Sequence, residues 1–211
     1  MTQIWLASCG CWHEAWAGVF YPDDLPSSWR FSYYSNEFSE IYLRHHEWAI
    51  ADAEILQSWM EDCDGRFQFL LQVDLSQFEE QTSSLDKALE NLAILSGRVG
   101  LLAFGGSETE LNKYLSTFVN QVPQAATFYD GESSEAGVSV PLLQTVPDAE
   151  APIRANLLLV TFQPSNKTLA EWLKAIVASQ QSGGIIFCAD PPSVDSLRRA
   201  EGLLPYILPE R

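Results

Sequence analysis

Cys9-Gly10-Cys11-Trp12-His13 places two thiols and an imidazole in one short stretch, and His45-His46 and Cys188 add more of the same chemistry. Thiolate with imidazole suits zinc or copper(I), so Cys9, Cys11, His13 and Cys188 form a candidate metal set. C-x-C is tighter than the usual C-x2-4-C pair of zinc sites, and small thiols often fill cores. Core packing therefore stands beside the metal reading. The same residues offer a nucleophile, Cys9 or Cys11, with His13 or His45 as base, provided a thiol pKa is depressed. Glu14, Glu47, Asp74, Asp130 and Asp190 are carboxylates at strand ends, where a pair could do acid–base hydrolysis. With 28 acidic residues in the chain, chance placement is common. Gly105-Gly106-Ser107 could cradle an anion on backbone N–H groups, but Glu108 and Glu110 follow at once and favour helix capping instead.

These residues need elements to position them. The apolar runs predict eight strands: Ile4 to Cys9, Glu40 to Leu43, Phe67 to Val73, Val99 to Phe104, Thr127 to Tyr129, Val140 to Val146, Asn156 to Phe162 and Ile185 to Cys188. Helical stripes fill most gaps, at 27–38, 51–60, 85–95 and 194–204. Ser84 and Ser193 are candidate N-caps. Ser107 with Glu110, and Thr168 with Glu171, have capping-box spacing. Strands alternating with helices indicate an α/β fold with parallel strands. Most strand starts are spaced for one strand–helix unit, but those of strands five to seven are much closer. The reading is a single-domain TIM-type (β/α)8 barrel over 1–211, shortened, with helices five and six missing or rudimentary. A hairpin over Val140 to Phe162 in an open sheet is the alternative.

Composition limits the partners. The chain has 211 residues, is 46% hydrophobic and carries a net charge of −16. That charge repels nucleic acid and anionic membranes. No apolar run approaches a membrane span. The start of the chain does not resemble a signal peptide, and four cysteines without an export signal suggest reduced thiols, so a cytoplasmic location is expected.

Trp16-Ala17-Gly18-Val19-Phe20-Tyr21-Pro22, then Leu25-Pro26, an aromatic-rich helix and Phe38, resembles the opening of the YecE-like family, domain of unknown function 72. Weaker likeness continues at Trp59 with Phe67-Gln68-Phe69, at 92–102, at Trp172 and at 187–200. The resemblance implies a TIM barrel, in agreement with the strand count, and little chemistry. The departures fall at strand ends, where barrel active sites lie. The family's Glu-x-Asn lies on strand two after the hydrophobic residue, where this chain reads Ile41-Tyr42-Leu43-Arg44. Its Lys after F-x-F appears as Gln72. Its Gln-x-Pro is replaced by Phe104-Gly105-Gly106. Its Arg-x-His is not found in Val160-Thr161-Phe162-Gln163, and its Asn residues are replaced by Cys188-Ala189.

The expectation is a non-catalytic or degenerate member that binds a small ligand or protein partner at the C-terminal mouth. The residues expected to line it are Trp12, His13, Trp16, Tyr42, Arg44, His45, Trp48 and Gln72. The alternative is a hydrolase, metal-dependent or Cys-His, near strands one, two and eight. No cofactor is expected; zinc is the metal the Cys/His set would suit. Missing helices would leave an apolar barrel face bare, which predicts a homodimer through that face.

Overall fold

The computed structural model describes residues 3–78, 82–130, 143–151, 153 and 155–208. Eight parallel strands form one sheet in the order β5-β4-β3-β2-β1-β8-β7-β6. They are β1 (Ile4–Cys9), β2 (Glu40–Leu43), β3 (Gln68–Asp74), β4 (Val99–Gly105), β5 (Ala126–Asp130), β6 (Leu143–Val146), β7 (Leu157–Val160) and β8 (Gly183–Phe187). The sheet curls into a TIM-type barrel, nearly closed, with β5 and β6 as its two ends. The expected strands are all present; residues 140–142 of the sixth lie outside the described residues. β6 and β7 pair in parallel, Leu143 with Leu157 through Val146 with Val160, which excludes the hairpin.

The helices are α1 (Arg30–Glu37), α2 (His45–Trp48), α3 (Ala53–Asp62), α4 (Thr82–Leu95), α5 (Glu108–Gln121), α6 (Asn166–Ala178) and α7 (Val194–Ile207). Among the described residues an outer helix follows every strand except β5 and β6. The stretch 131–142 after β5 lies outside the described residues. After β6 a turn held by Asp148 Oδ1, which accepts the amides of Glu150 and Ala151, replaces a helix. Two expected caps are corrected. Ser165, not Thr168, caps α6, its Oγ accepting the Thr168 amide at 3.1 Å. Ser84 lies inside α4, which begins at Thr82. Ser107 with Glu110 forms the expected capping box, and Ser193 caps α7.

Side chains alternate between two apolar cores, as a strand's two-residue period requires. Trp5, Ala7, Cys9, Leu70, Phe128 and Ile186 are among those filling the barrel. Trp5 meets Phe128 edge-on, with centroids 6.1 Å apart. At the N-terminal end Gln68 Oε1 accepts from Trp5 Nε1 at 3.1 Å and from Gln3 Nε2 at 2.5 Å. Gly100 makes room for it: a Cβ there would stand 2.5 Å from Gln68 Oε1. The opposite strand faces pack on the helices. Tyr129 and Val146, on the outer faces of β5 and β6, are both buried, and Ala151 and Ile153 pack on the same outer core. The chain itself therefore buries these residues of the face expected to be bare.

Two polar contacts hold the β1–β2 corner. Asn91 on α4 is fully buried; its Nδ2 donates to the carbonyls of Trp48, Ala49 and Ala51 at 2.9–3.1 Å. It thereby fixes the chain after β2. Glu40 Oε2 accepts the Leu6 amide at 2.6 Å. Burial pushes the Glu40 carboxyl up to about 8, and pushes Glu201 on α7, whose charge also acts on Glu40, up to about 7.

Asn91→Leu removes the side-chain donor of three carbonyls, those of Trp48 and Ala49 buried, at a cost of about 2–3 kcal/mol. Thermal denaturation should show a Tm lower by roughly 6–9 °C. The carboxyls act on pH dependence. A carboxyl whose pKa is raised on folding binds its proton more tightly in the folded chain. Its stabilising contribution is full below about pH 4.5 and is lost as pH rises through about 8. Glu40→Gln should match the parent near pH 4.5 and exceed it at pH 8, by on the order of 2 kcal/mol after solvent screening. Urea unfolding across that range measures the difference.

Candidate functional site

The strand-one loop begins with a break in alternation. Gly10 has φ +72°, a left-handed conformation that turns the chain, and its amide donates to Tyr42 O at 2.8 Å. Cys9 therefore faces the barrel interior, while Cys11 packs in the outer core. Tyr21 Oη donates to Cys11 O at 2.5 Å. Arg30 makes a bidentate pair with Glu14 at 2.7 and 2.8 Å, and its Nη1 also donates to Trp12 O at 3.3 Å. The guanidinium holds the Glu14 carboxyl below its usual range. Trp16 Nε1 donates to Pro192 O at 2.9 Å and so ties this loop to the one after β8.

The strand-two loop is the short helix α2. The Arg44 amide donates to Glu47 Oε2 at 2.6 Å. Glu47 Oε1 lies so near Gly10 that a Cβ there would stand 2.9 Å from it, so the two loops touch. His45 is buried; its Nδ1 accepts the Asp74 amide at 3.3 Å, which puts the ring proton on Nε2. Burial lowers its pKa and keeps it neutral. Trp48 is fully buried and donates from Nε1 to Gln72 O at 2.8 Å. Asp74 accepts from Ser76 and Gln77 rather than facing a second carboxylate.

At the mouth itself Cys9, Tyr42, Arg44, Asp130 and Cys188 come together. Tyr42 is buried, and its hydroxyl is pushed up by that burial and by the neighbouring Cys188 and Cys9. Burial also raises Asp130. Beside the mouth, a cleft of about 460 Å³ runs between the strand-one loop, α1 and α3. Trp12 and Trp59 stack at 5.1 Å with a 31° tilt, and Phe31 stacks on Trp59 at 5.4 Å. Ile55 and Ala51 extend the apolar wall, and Glu47 and Asp62 supply carboxylates. A second recess, about 560 Å³, is polar and lined by His45, His46, Gln72, Asp74, Ser76 and Gln77 among others.

The expected site residues are thus divided. Trp12 lines the aromatic cleft, and Arg44 and Tyr42 stand at the mouth. Trp16 and Trp48, expected as ligand platforms, are core residues whose indole N–H groups are spent on backbone carbonyls. His45 is a buried structural ring, though it borders the polar recess with Gln72. His13 Nε2 lies 2.9 Å from Cys9 O, not on the thiol, and its ring packs on Trp16. Of the Cys9, Cys11, His13, Cys188 set, Cys9 and Cys188 lie in the inner core and Cys11 in the outer one. Among the described residues no group of three His, Cys, Asp or Glu side chains could hold a metal ion. Cys11 is moreover raised by burial, against a nucleophile's needs. Sequence reasoning missed Trp59, Phe31 and Asp62 as a wall for Trp12, because only the packing of α3 beside the strand-one loop brings them there.

A family model described as Protein of unknown function DUF72 matches residues 6–137. A DUF72 family protein from Thermotoga maritima MSB8 superposes with a TM-score of 0.62 at 12% identity, over 95% of this chain and 99% of that one. Another from Enterococcus faecalis V583 gives 0.60 at 11% identity, over 98% of each chain. At such identities the likeness concerns the fold. No curated protein matches. With the matched segment spanning more than half of its length and carrying the W-x-G-x-F-Y-P stretch, the chain belongs to the DUF72 family.

Proposed function

We propose that this chain is a non-catalytic, ligand-binding member of the family, taking a small organic cation with an apolar body at the rim of the barrel mouth. The observation that carries this reading is the Trp12–Trp59 cleft. Its volume of about 460 Å³ is in the size range of small-ligand pockets. Its walls are aromatic, and among the described residues its lining includes no basic side chain and its charged groups are the Glu47 and Asp62 carboxylates. A cation over a tryptophan face gains about 0.5–2 kcal/mol, and more as water is excluded. The net charge of −16 adds a long-range attraction for the same class of ligand. The side chains read as hydrolytic machinery support binding over turnover. Both candidate bases, His13 and His45, have a ring nitrogen on backbone atoms, and the Cys11 thiol is raised by its burial.

Titration with benzyltrimethylammonium, followed by tryptophan fluorescence, tests the proposal. Saturable quenching is expected, with benzoate giving none. Trp12→Ala should abolish the response, and Glu47→Gln should weaken binding about threefold to tenfold. Equal binding of benzoate, or an unchanged response in Trp12→Ala, would overturn the reading.

A further inference from the structure

Cys9 ends β1 and Cys188 directly follows β8. These strands are parallel neighbours whose register pairs Ser8 with Phe187, so Cys9 stands opposite Cys188 one residue further on. Both side chains belong to the inner core, at its C-terminal end. Neighbouring strands lie about 4.8 Å apart. That spacing falls within the range of roughly 4.4–6.8 Å between Cα atoms that a disulfide spans. Only one of the two is accessible: Cys9 is 3% exposed, whereas Cys188 is partly open to the mouth. Each thiol acts on the other across the seam, and the Arg44 guanidinium acts on both.

We infer that Cys9 and Cys188 form an oxidisable dithiol that closes to a disulfide across the β1–β8 seam by exchange with a low-molecular-weight disulfide. The Cys188 thiolate attacks one sulfur of that disulfide, whose S–S bond breaks. The expelled thiolate takes a proton from solvent and leaves as a thiol. Cys9, its proton released to solvent, then attacks the Cys188 sulfur of the mixed disulfide and expels the second thiol. The two cysteines together lose two electrons and two protons, and one small disulfide becomes two thiols. Arg44 favours the thiolates. The Cys9 thiol, burial and Glu47 oppose ionisation of Cys188, whose pKa stands well above the usual range. Tyr42 also faces the pair. The exchange is therefore slow at neutral pH and accelerates with alkalinity.

The dithiol lies on the mouth floor, and its test is independent of the cation cleft. The folded full-length chain is incubated with oxidised glutathione between pH 7 and 9, then mapped by non-reducing peptide mass spectrometry. A Cys9–Cys188 linked peptide is expected, forming about tenfold faster per pH unit. Cys11, buried, and Cys63, held by Arg98, should stay free and serve as internal controls. Cys9→Ser should stop at a glutathione adduct on Cys188, and Arg44→Gln should slow loss of the Cys188 thiol about threefold to tenfold. An adduct on Cys188 that persists in the parent chain, first reaction at Cys11 or Cys63, or no reaction at pH 9 would each overturn the inference.

Discussion

A barrel of eight short parallel strands leaves little room inside, and the rest of this structure depends on how that space is filled. Trp5, Leu70, Phe128 and Ile186 fill the interior, and Gln68 closes the N-terminal end with two hydrogen bonds. Among the described residues, polar side chains facing inward then fall at the strand ends, Gln68 at the bottom and the others at the top. That is why Tyr42, Arg44, Asp130 and the two thiols gather at one mouth. It is also why the apolar recess lies beside the barrel, between α1 and α3, and not within it.

The loops that border the recess are held by a small number of polar contacts. Arg30 anchors the strand-one loop through Glu14 and the Trp12 carbonyl. Trp16 ties it to Pro192, and Asn91 holds the chain after α2. Each contact joins groups far apart in sequence, so the Trp12 ring and the Glu47 carboxylate are placed by the whole β1–β2–α4 corner. The cleft is thus built on fixed elements, which suits ligand binding, since a preformed wall loses less freedom when it is occupied.

The strands were legible because each is a short apolar run between turn residues, and β1 and β2 end where their sequences leave that pattern. The shortening between β5 and β7 was legible as spacing. The site was legible only in part. A two-residue period would point Cys9 and Cys11 the same way; the left-handed turn at Gly10 sends them to opposite cores. Trp16 and Trp48 looked like mouth platforms, but each found a distant carbonyl that no local pattern reveals. Ser165 and Thr168 both offer a hydroxyl ahead of the same apolar stripe, and Ser165 takes the cap because its extended backbone precedes the first helical turn. Val146 shows that a turn in place of a helix need not leave a strand's outer face bare.

The proposed site is the Trp12–Trp59 cleft at the rim and not the floor of the mouth. A crystal structure of the protein soaked with benzyltrimethylammonium tests this most directly. The account predicts the quaternary nitrogen within about 6 Å of the Trp12 ring centroid, facing the Glu47 and Asp62 carboxylates. Density for the cation over Tyr42 and Cys188, with the cleft empty, would contradict it.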